Sequence, residues 1–425
     1  MEKNDQVSID IGKLARSLRN EMEILQSLSE ECCIYRVPMR LRQLNEIAYT
    51  PRVVSIGPLH HGNQEFKAME DHKLRYLHDF LEWSKVNIED CIKLVQKSEI
   101  RLRNCYAEIL KFSSEDFVKM ILLDATFIIV LLVKAFSTDS WSINDRIFNK
   151  PWLIVDIKRD MSLLENQLPF FILEELFKQS NMEDRLGFSI GELTYNLFKA
   201  RYDPWLADDS WKRHDLSKVE HIMDFLRICQ LPSKLKDRKK ELKKLNVPSL
   251  GELHQAGVKF KSSSSKNLLD ITFNNGILEI PPLTIGDHTE ILLRNLSAFE
   301  QCHFKAGDYF VNDYICMMAT IVRAPEDVEI LVQSGIIENY LRNNESVLTL
   351  FHKLDQECII STSCFYFSTV AEKLKEYSRD SWHKWKANLR QNYFNTPWAG
   401  ISVFAAILLL MLTFIQSLCS ILQVV

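Results

Sequence analysis

The chain has 425 residues with 46% hydrophobic and 25% charged side chains, enough apolar material for a large core and too much for a disordered polymer. A formal net charge of -4 argues against nucleic acid as the main partner, because phosphate binding needs a clustered basic surface. Only 12 glycines favour long helices over many tight β-turns.

The opening MEKNDQVSIDIGKL has no apolar h-region, so no secretory signal is expected. Ile11, Leu14, Leu18, Met22, Leu25 and Leu28 step by three and four, which predicts an amphipathic helix within residues 1–29, ahead of a main domain at 30–395. Next comes VSIGPLHHG (Val54 to Gly62). Gly57 and Gly62 allow unusual backbone angles, Pro58 stiffens the turn, and His60 or His61 can bond a buried carbonyl. Adjacent histidines in a loop are poorly placed to chelate one ion, so the stretch reads as a structural corner beside a binding groove.

Leu74, Leu77 and Leu81 continue the helical period, and SSED at Ser113 is a helix start. MILLDATFIIVLLV (Met120 to Val133) is too short for a membrane span and contains Asp124, which predicts a central core helix. DIKRDMSLLENQLPF (Asp156 to Phe170) supplies three carboxylates, but Asp160 and Glu165 are five apart and do not share a helix face squarely. Asp160 is expected to cap a helix N-terminus, with Glu165 and Gln167 bonding nearby backbone. Leu164, Leu168, Ile172 and Leu176 predict one helical stripe.

GFSIG (Gly187 to Gly191) matches the nucleophile elbow of serine hydrolases, yet the preceding KQSNMEDRL is no strand. Ser189 and Glu192 instead form a capping box that opens a helix through Leu193, Leu197 and Phe198. No zinc-protease, P-loop or dinucleotide signature is present.

Residues 203–266 read as irregular, turn-rich in DPWLADDSWKRHD and serine-rich in KFKSSSSKN. Within them KLKDRKKELKKL (Lys234 to Leu245) is expected to be a solvated linker helix, the alternative being contact with anionic lipid through Lys234 to Lys244. LLDITFNNGILEI (Leu268 to Ile280) alternates around Asn274-Asn275-Gly276, a hairpin signal ended by Pro281-Pro282. APED at Ala324 places Pro325 in a first helical turn. The 10 cysteines include no C-x-x-C pair, so they read as reduced core thiols, with no structural zinc and no cofactor expected.

From Gln391 to Val425 no side chain is ionisable, and Trp398 to Leu418 is long enough to span a bilayer. A transmembrane anchor is therefore expected at 397–420. Pro397 would start it, Trp398 would sit at headgroup level, and Phe404, Leu408, Leu412 and Phe414 would contact lipid. Arg379, Lys384, Lys386 and Arg390 precede it, so the positive-inside rule predicts a single-pass tail anchor with a cytosolic domain, in a membrane such as the plasma membrane. The sequons at Asn295 and Asn344 would then stay unmodified.

Several blocks carry a likeness. CCIYRVPMRLRQLNEIAYTPRVVSIGPLHHG, MEDHKLRYLHDFL, DMSLLENQLPFFILEELF, PSLGELHQAGVKFK, LLDITFNNGILEIPPLTI, LLRNLSAFEQC and NTPWAG together make the chain resemble the plant family catalogued as domain of unknown function 247. The likeness covers about residues 30 to 420 and implies a plant protein with one C-terminal span and no established catalytic activity. Some grass members are associated with pollen self-incompatibility, which implies recognition. In LDATFIIVL (Leu123 to Leu131), Ala125 and Val130 stand where the family often has glycine and glutamate, which implies that any acidic pair with Asp124 is lost here.

The expected architecture is thus mainly α, a single helical domain with one β-hairpin and a C-terminal transmembrane helix. The expected function is recognition or scaffolding of other proteins by a non-enzyme whose partners are a bilayer and proteins. The alternatives are a hydrolase using His60 or His61 with Asp160 or Glu165, and the lipid sensor above.

Overall fold

Helices follow the apolar periodicity in the computed structural model, which describes residues 10–24, 29–136, 145–202, 206, 212, 218–231, 245–305, 307–356, 358–361, 363–380 and 397–424. The first part holds α1 (Ile11–Ile24), α2 (Met39–Arg42), α3 (Lys67–Ser84), α4 (Ile88–Lys97), α5 (Glu99–Asn104) and α6 (Ser114–Phe136). It continues with α7 (Pro151–Asp160), α8 (Phe170–Gln179), α9 (Met182–Leu186), α10 (Ile190–Tyr202) and α11 (Ile222–Ile228).

The axis of this part is α6, as expected: every residue from Met120 to Lys134 is buried, and α3, α4, α8 and α10 pack around it. A helix apolar on all sides needs such a jacket. By contrast, Ile11, Leu14, Leu18 and Met22 of α1 are exposed, so its predicted stripe faces outward.

The second part begins with α12 (Leu250–Gln255), β1 (Lys259–Ser262), β2 (Thr272–Asn274), β3 (Ile277–Ile280) and β4 (Leu283–Ile285). After them come α13 (Asp287–His303), α14 (Phe310–Ile321), α15 (Pro325–Gln333), β5 (Ile337–Asn339), α16 (Asn344–Asp355) and α17 (Ser368–Arg379). Here α16 packs on α13, α14 and α15, and one apolar cluster joins both parts.

The predicted hairpin forms. β2 and β3 pair antiparallel, with Phe273 opposite Leu278, and Asn275 (φ 50) and Gly276 (φ 76) supply the two left-handed turn residues. It is not the only β structure. β1 adds to β3 in parallel, giving the order β1-β3-β2, and β4 pairs with β5 in parallel. These short strands find partners across intervening chain, which local alternation does not reveal. α11, α12 and β1 also fall within the stretch expected to be irregular.

Two expectations are corrected. Leu164 and Leu168 are buried but not helical: α8 starts at Phe170, because Pro169 cannot continue a helix and disfavours one just before it. The transmembrane anchor is also withdrawn. Residues Pro397–Val424 do form a helix, α18, but among the described residues no helix is long and apolar enough to cross a membrane. Phe404, Leu408, Leu412 and Phe414 are exposed along α18, and the Trp398 side chain lies outside the described set. The single-pass, tail-anchored topology falls with the span, as does the cytosolic placement inferred from it. What stands is a mainly helical chain with a few short strands.

Candidate functional site

The VSIGPLHHG corner enters as irregular backbone held by side chains instead of another strand, then turns from Gly57 (φ 72) to Gly62 (φ 87). The Asp160 carboxylate accepts from Arg52 N (2.9 Å), Val53 N (2.7 Å) and Val54 N (3.1 Å). Asn166 accepts from Ile56 N at 2.7 Å and donates to Val54 O at 3.0 Å. Asp124, from the middle of α6, accepts from Gly57 N at 2.8 Å. Lys73 of α3, fully buried, bonds Ser55 O at 2.7 Å and pairs with Asp124 at 2.6 Å. Burial opposes the Lys73 charge, but Asp124 and Glu70 outweigh it and hold its pKa above the ordinary lysine value.

Asp160 is therefore no N-cap. It ends α7, where Arg159 of the same turn pairs with it at 2.8 Å, and its oxygens hold a loop 106–108 residues away in sequence. Burial drives its pKa upward against the pull of three backbone N–H groups. Gln167 does bond backbone as expected, donating to Met161 O and Leu163 O at 2.7 Å each.

Glu165 is the second hub. Its buried carboxylate accepts from Val37 N at 2.6 Å and pairs with Arg42 at 2.5 Å, His60 Nε2 at 3.2 Å and Arg36 at 3.5 Å. Burial alone would raise its pKa, but His60, Arg42 and the Val37 N–H together hold it below the usual glutamate value. Of the four residues in the hydrolase alternative, only His60 and Glu165 converge. His61 is exposed and meets Phe112 edge-on at 5.8 Å, while Asp160 is occupied by backbone. Burial pushes the pKa of the Cys302 thiol, which also feels the Glu165 charge, up to about 11, the opposite of an activated nucleophile.

Ser189 of GFSIG is a cap: Glu192 N donates to its Oγ at 3.2 Å and Ser189 N donates to Glu192 at 3.0 Å. SSED and APED are caps as well, Asp116 N bonding Ser113 Oγ and Ala324 N bonding Asp327. Lys234 to Lys244 lies wholly outside the described residues.

Sequence reasoning missed Lys73 and Asn166 as partners of the corner. One signal was available for the first. Met69, Lys73, Tyr76 and Phe80 step by four, three and four and are all buried, so a lysine occupies a core stripe of α3.

An open groove lies between α3, α4 and the start of α6, with a cavity volume of about 600 Å³. Leu74, Leu77, Ile88, Ile92, Val118, Leu122 and Leu123 line it, together with the polar Gln96, Glu115 and Lys119. Leu74, Ile88 and Ile92 are among the exposed large apolar side chains. Leu74 thus departs from its predicted stripe: it leaves the core and opens this surface.

A family model described as a plant protein of unknown function, DUF247, matches residues 34–412. The chain belongs to this family. It is 30% identical to the UPF0481 protein At3g47200 of Arabidopsis thaliana, over 96% of this chain and 90% of that one. It is 23% identical to the putative UPF0481 protein At3g02645 of the same plant, over 94% of this chain and 92% of that one. No solved structure matches it. Neither the DUF247 description nor the relatives' names state an activity.

Proposed function

We propose that this DUF247 protein is a recognition or scaffold protein, and that its helical domain takes an apolar helical segment of a partner protein into the α3–α4–α6 groove. The observation that carries this reading is the groove: seven apolar side chains from α3, α4 and α6 line an open channel, beside the charged Glu115 and Lys119. A helix presenting residues at i, i+3, i+4 and i+7 fits such a channel. Exposed apolar side chains gathered in one place mark interaction sites more often than scattered ones do. The polar residues with chemical potential support the same reading from the other side, because Asp160, Asn166 and Asp124 are committed to holding backbone.

The test is a photocrosslinking amino acid placed at Ile92 of the full chain in its native plant cells, with a second at exposed Ile100 as control. The reading expects an adduct of defined mass at position 92 that is absent at 100 and disappears when Leu74→Glu is added. Equal labelling at both positions, or an adduct indifferent to Leu74→Glu, would overturn it.

A further inference from the structure

We propose that Cys316, Asp355 and Cys358 bind a zinc ion that clamps α14 to the end of α16, with a solvent molecule as its fourth ligand. Cys316 sits in the middle of α14, fully buried, on a helix packed against α16. Asp355 is the last residue of α16, and Cys358 follows three positions later, its N–H bonded to Asp355 O at 3.1 Å. The turn brings both side chains to one helix end, facing Cys316. The two sulfurs and a carboxylate oxygen all lie within 4.8 Å of one another. A tetrahedral zinc with bonds of about 2.3 Å to sulfur and about 2.0 Å to oxygen needs its ligand atoms about 3.5–3.8 Å apart. With every separation at or below 4.8 Å, the side chains would have to close by at most about 1 Å to reach that geometry.

The donor set selects the metal. Two thiolates exclude magnesium and calcium, which demand oxygen, and the carboxylate disfavours copper(I). Binding replaces two S–H protons, which leave to solvent, so the site passes from two thiols and one carboxylate to a zinc bis-thiolate carboxylate. Cys358 Sγ now donates to Leu354 O at 3.2 Å and lies 4.0 Å from Ser297 Oγ. Loss of its proton frees the sulfur from the carbonyl, while the Ser297 hydroxyl can donate to the thiolate. Asp355 and Cys358 are only partly buried, which gives the ion a way in. A second group of possible ligands, His78, Asp79 and Glu82, differs on each count: it has no sulfur, none of its members is buried, and Asp79 already pairs with Lys134 at 2.8 Å. The sequence pattern could not show the site, because it joins an Asp-x-x-Cys to a cysteine some forty positions earlier instead of using a C-x-x-C pair.

The experiment uses the reduced full chain equilibrated with Zn²⁺ against a competing chelator, then desalted and assayed for metal. One zinc per chain is expected, and Co²⁺ in its place is expected to give a thiolate charge-transfer absorption. Cys358→Ser and Asp355→Asn, both at partly buried positions, should each weaken zinc binding at least about tenfold. Cys364→Ser, at a thiol outside the cluster, should leave it unchanged. If Cys358→Ser does not fold, the cobalt spectrum and zinc affinity of Asp355→Asn decide. Failure of the reduced wild type to retain zinc, or retention indifferent to both cluster variants, would overturn the proposal. So would a Cys316–Cys358 disulfide in protein isolated from plant tissue, read as a mass change on reduction.

Discussion

Replacing Gly57 by alanine tests how tightly the corner is built. Gly57 has φ +72, and a Cβ there would lie 2.5 Å from Gln167 O and 3.0 Å from Tyr106 Oη. The left-handed conformation costs a non-glycine residue about 1–2 kcal/mol. The clash adds about 1–3 kcal/mol, the usual range for overpacking, because the nearer obstacle is backbone and cannot rotate away. Nor can the 161–169 turn retreat freely: Gln167 bonds Met161 O and Leu163 O, and Tyr106 donates to Gln167 O at 3.0 Å. The expected loss is therefore about 2–5 kcal/mol, a large part of the about 5–15 kcal/mol typical of a native protein. Gly62 provides the control, since its φ is +87 and nothing lies within 4 Å of a built Cβ. Gly62→Ala should lose only the conformational share, about 1–2 kcal/mol. Paired urea unfolding followed by tryptophan fluorescence reads the difference. If Gly57→Ala unfolds at the same urea concentration as Gly62→Ala, the close approach of corner and turn is wrong.

Further expectations follow from the same contacts. Lys73→Met leaves Asp124 buried without its cation and should cost about 3–5 kcal/mol in urea unfolding, with part restored by adding Asp124→Asn; equal loss in both variants would deny the pairing. His221 is fully buried, and burial pushes its pKa down to about 3 from 6.5. The unfolded chain therefore binds the extra proton between those values, so His221 contributes stability that is lost as pH falls below about 6.5, at a slope approaching 1.4 kcal/mol per pH unit. His221→Asn keeps a side chain able to cap α11 and should remove that slope, measured as the difference in unfolding free energy between pH 7 and pH 5. Asp224, which burial raises to about 6, acts in the opposite direction within this window, so only the difference between wild type and variant is diagnostic. Ser189→Ala should cost about 1 kcal/mol as a lost cap, and Ser189 should not react with fluorophosphonate; labelling at that residue would reopen the hydrolase reading.

The fold was legible where one local rule decides the structure. The apolar run around Asp124 could only be a jacketed helix, Asn275-Gly276 could only be a tight turn, and Ser189 with Glu192 could only cap. Failures occurred where distant partners decide. Asp160 was read against its own neighbours, yet its carboxylate is committed to N–H groups more than 100 residues earlier. β1 is a run of four residues that becomes a strand only when β3 lies beside it. The same holds for the candidate site. The glycines and Pro58 suggested a corner, and His60 with Glu165 was one of several pairings in the hydrolase alternative; the structure brings those two to 3.2 Å, but nothing local linked Lys73, Asn166 or Arg42 to them. The groove was invisible because Leu74 has the same chemistry as a core leucine; only packing shows that α3 turns it outward. The anchor was inferred from the length of an uncharged apolar run and its basic flank, and among the described residues no helix proves long and apolar enough to cross a membrane.

Amide hydrogen exchange over residues 50–62 of the full chain addresses the central structural claim, that this corner is core and not a working loop. Five of its N–H groups, those of Arg52, Val53, Val54, Ile56 and Gly57, end on buried side-chain oxygens. The account predicts protection of those amides comparable to that of α6, opening only with global unfolding. Exchange as fast as that of the exposed α1 would contradict it.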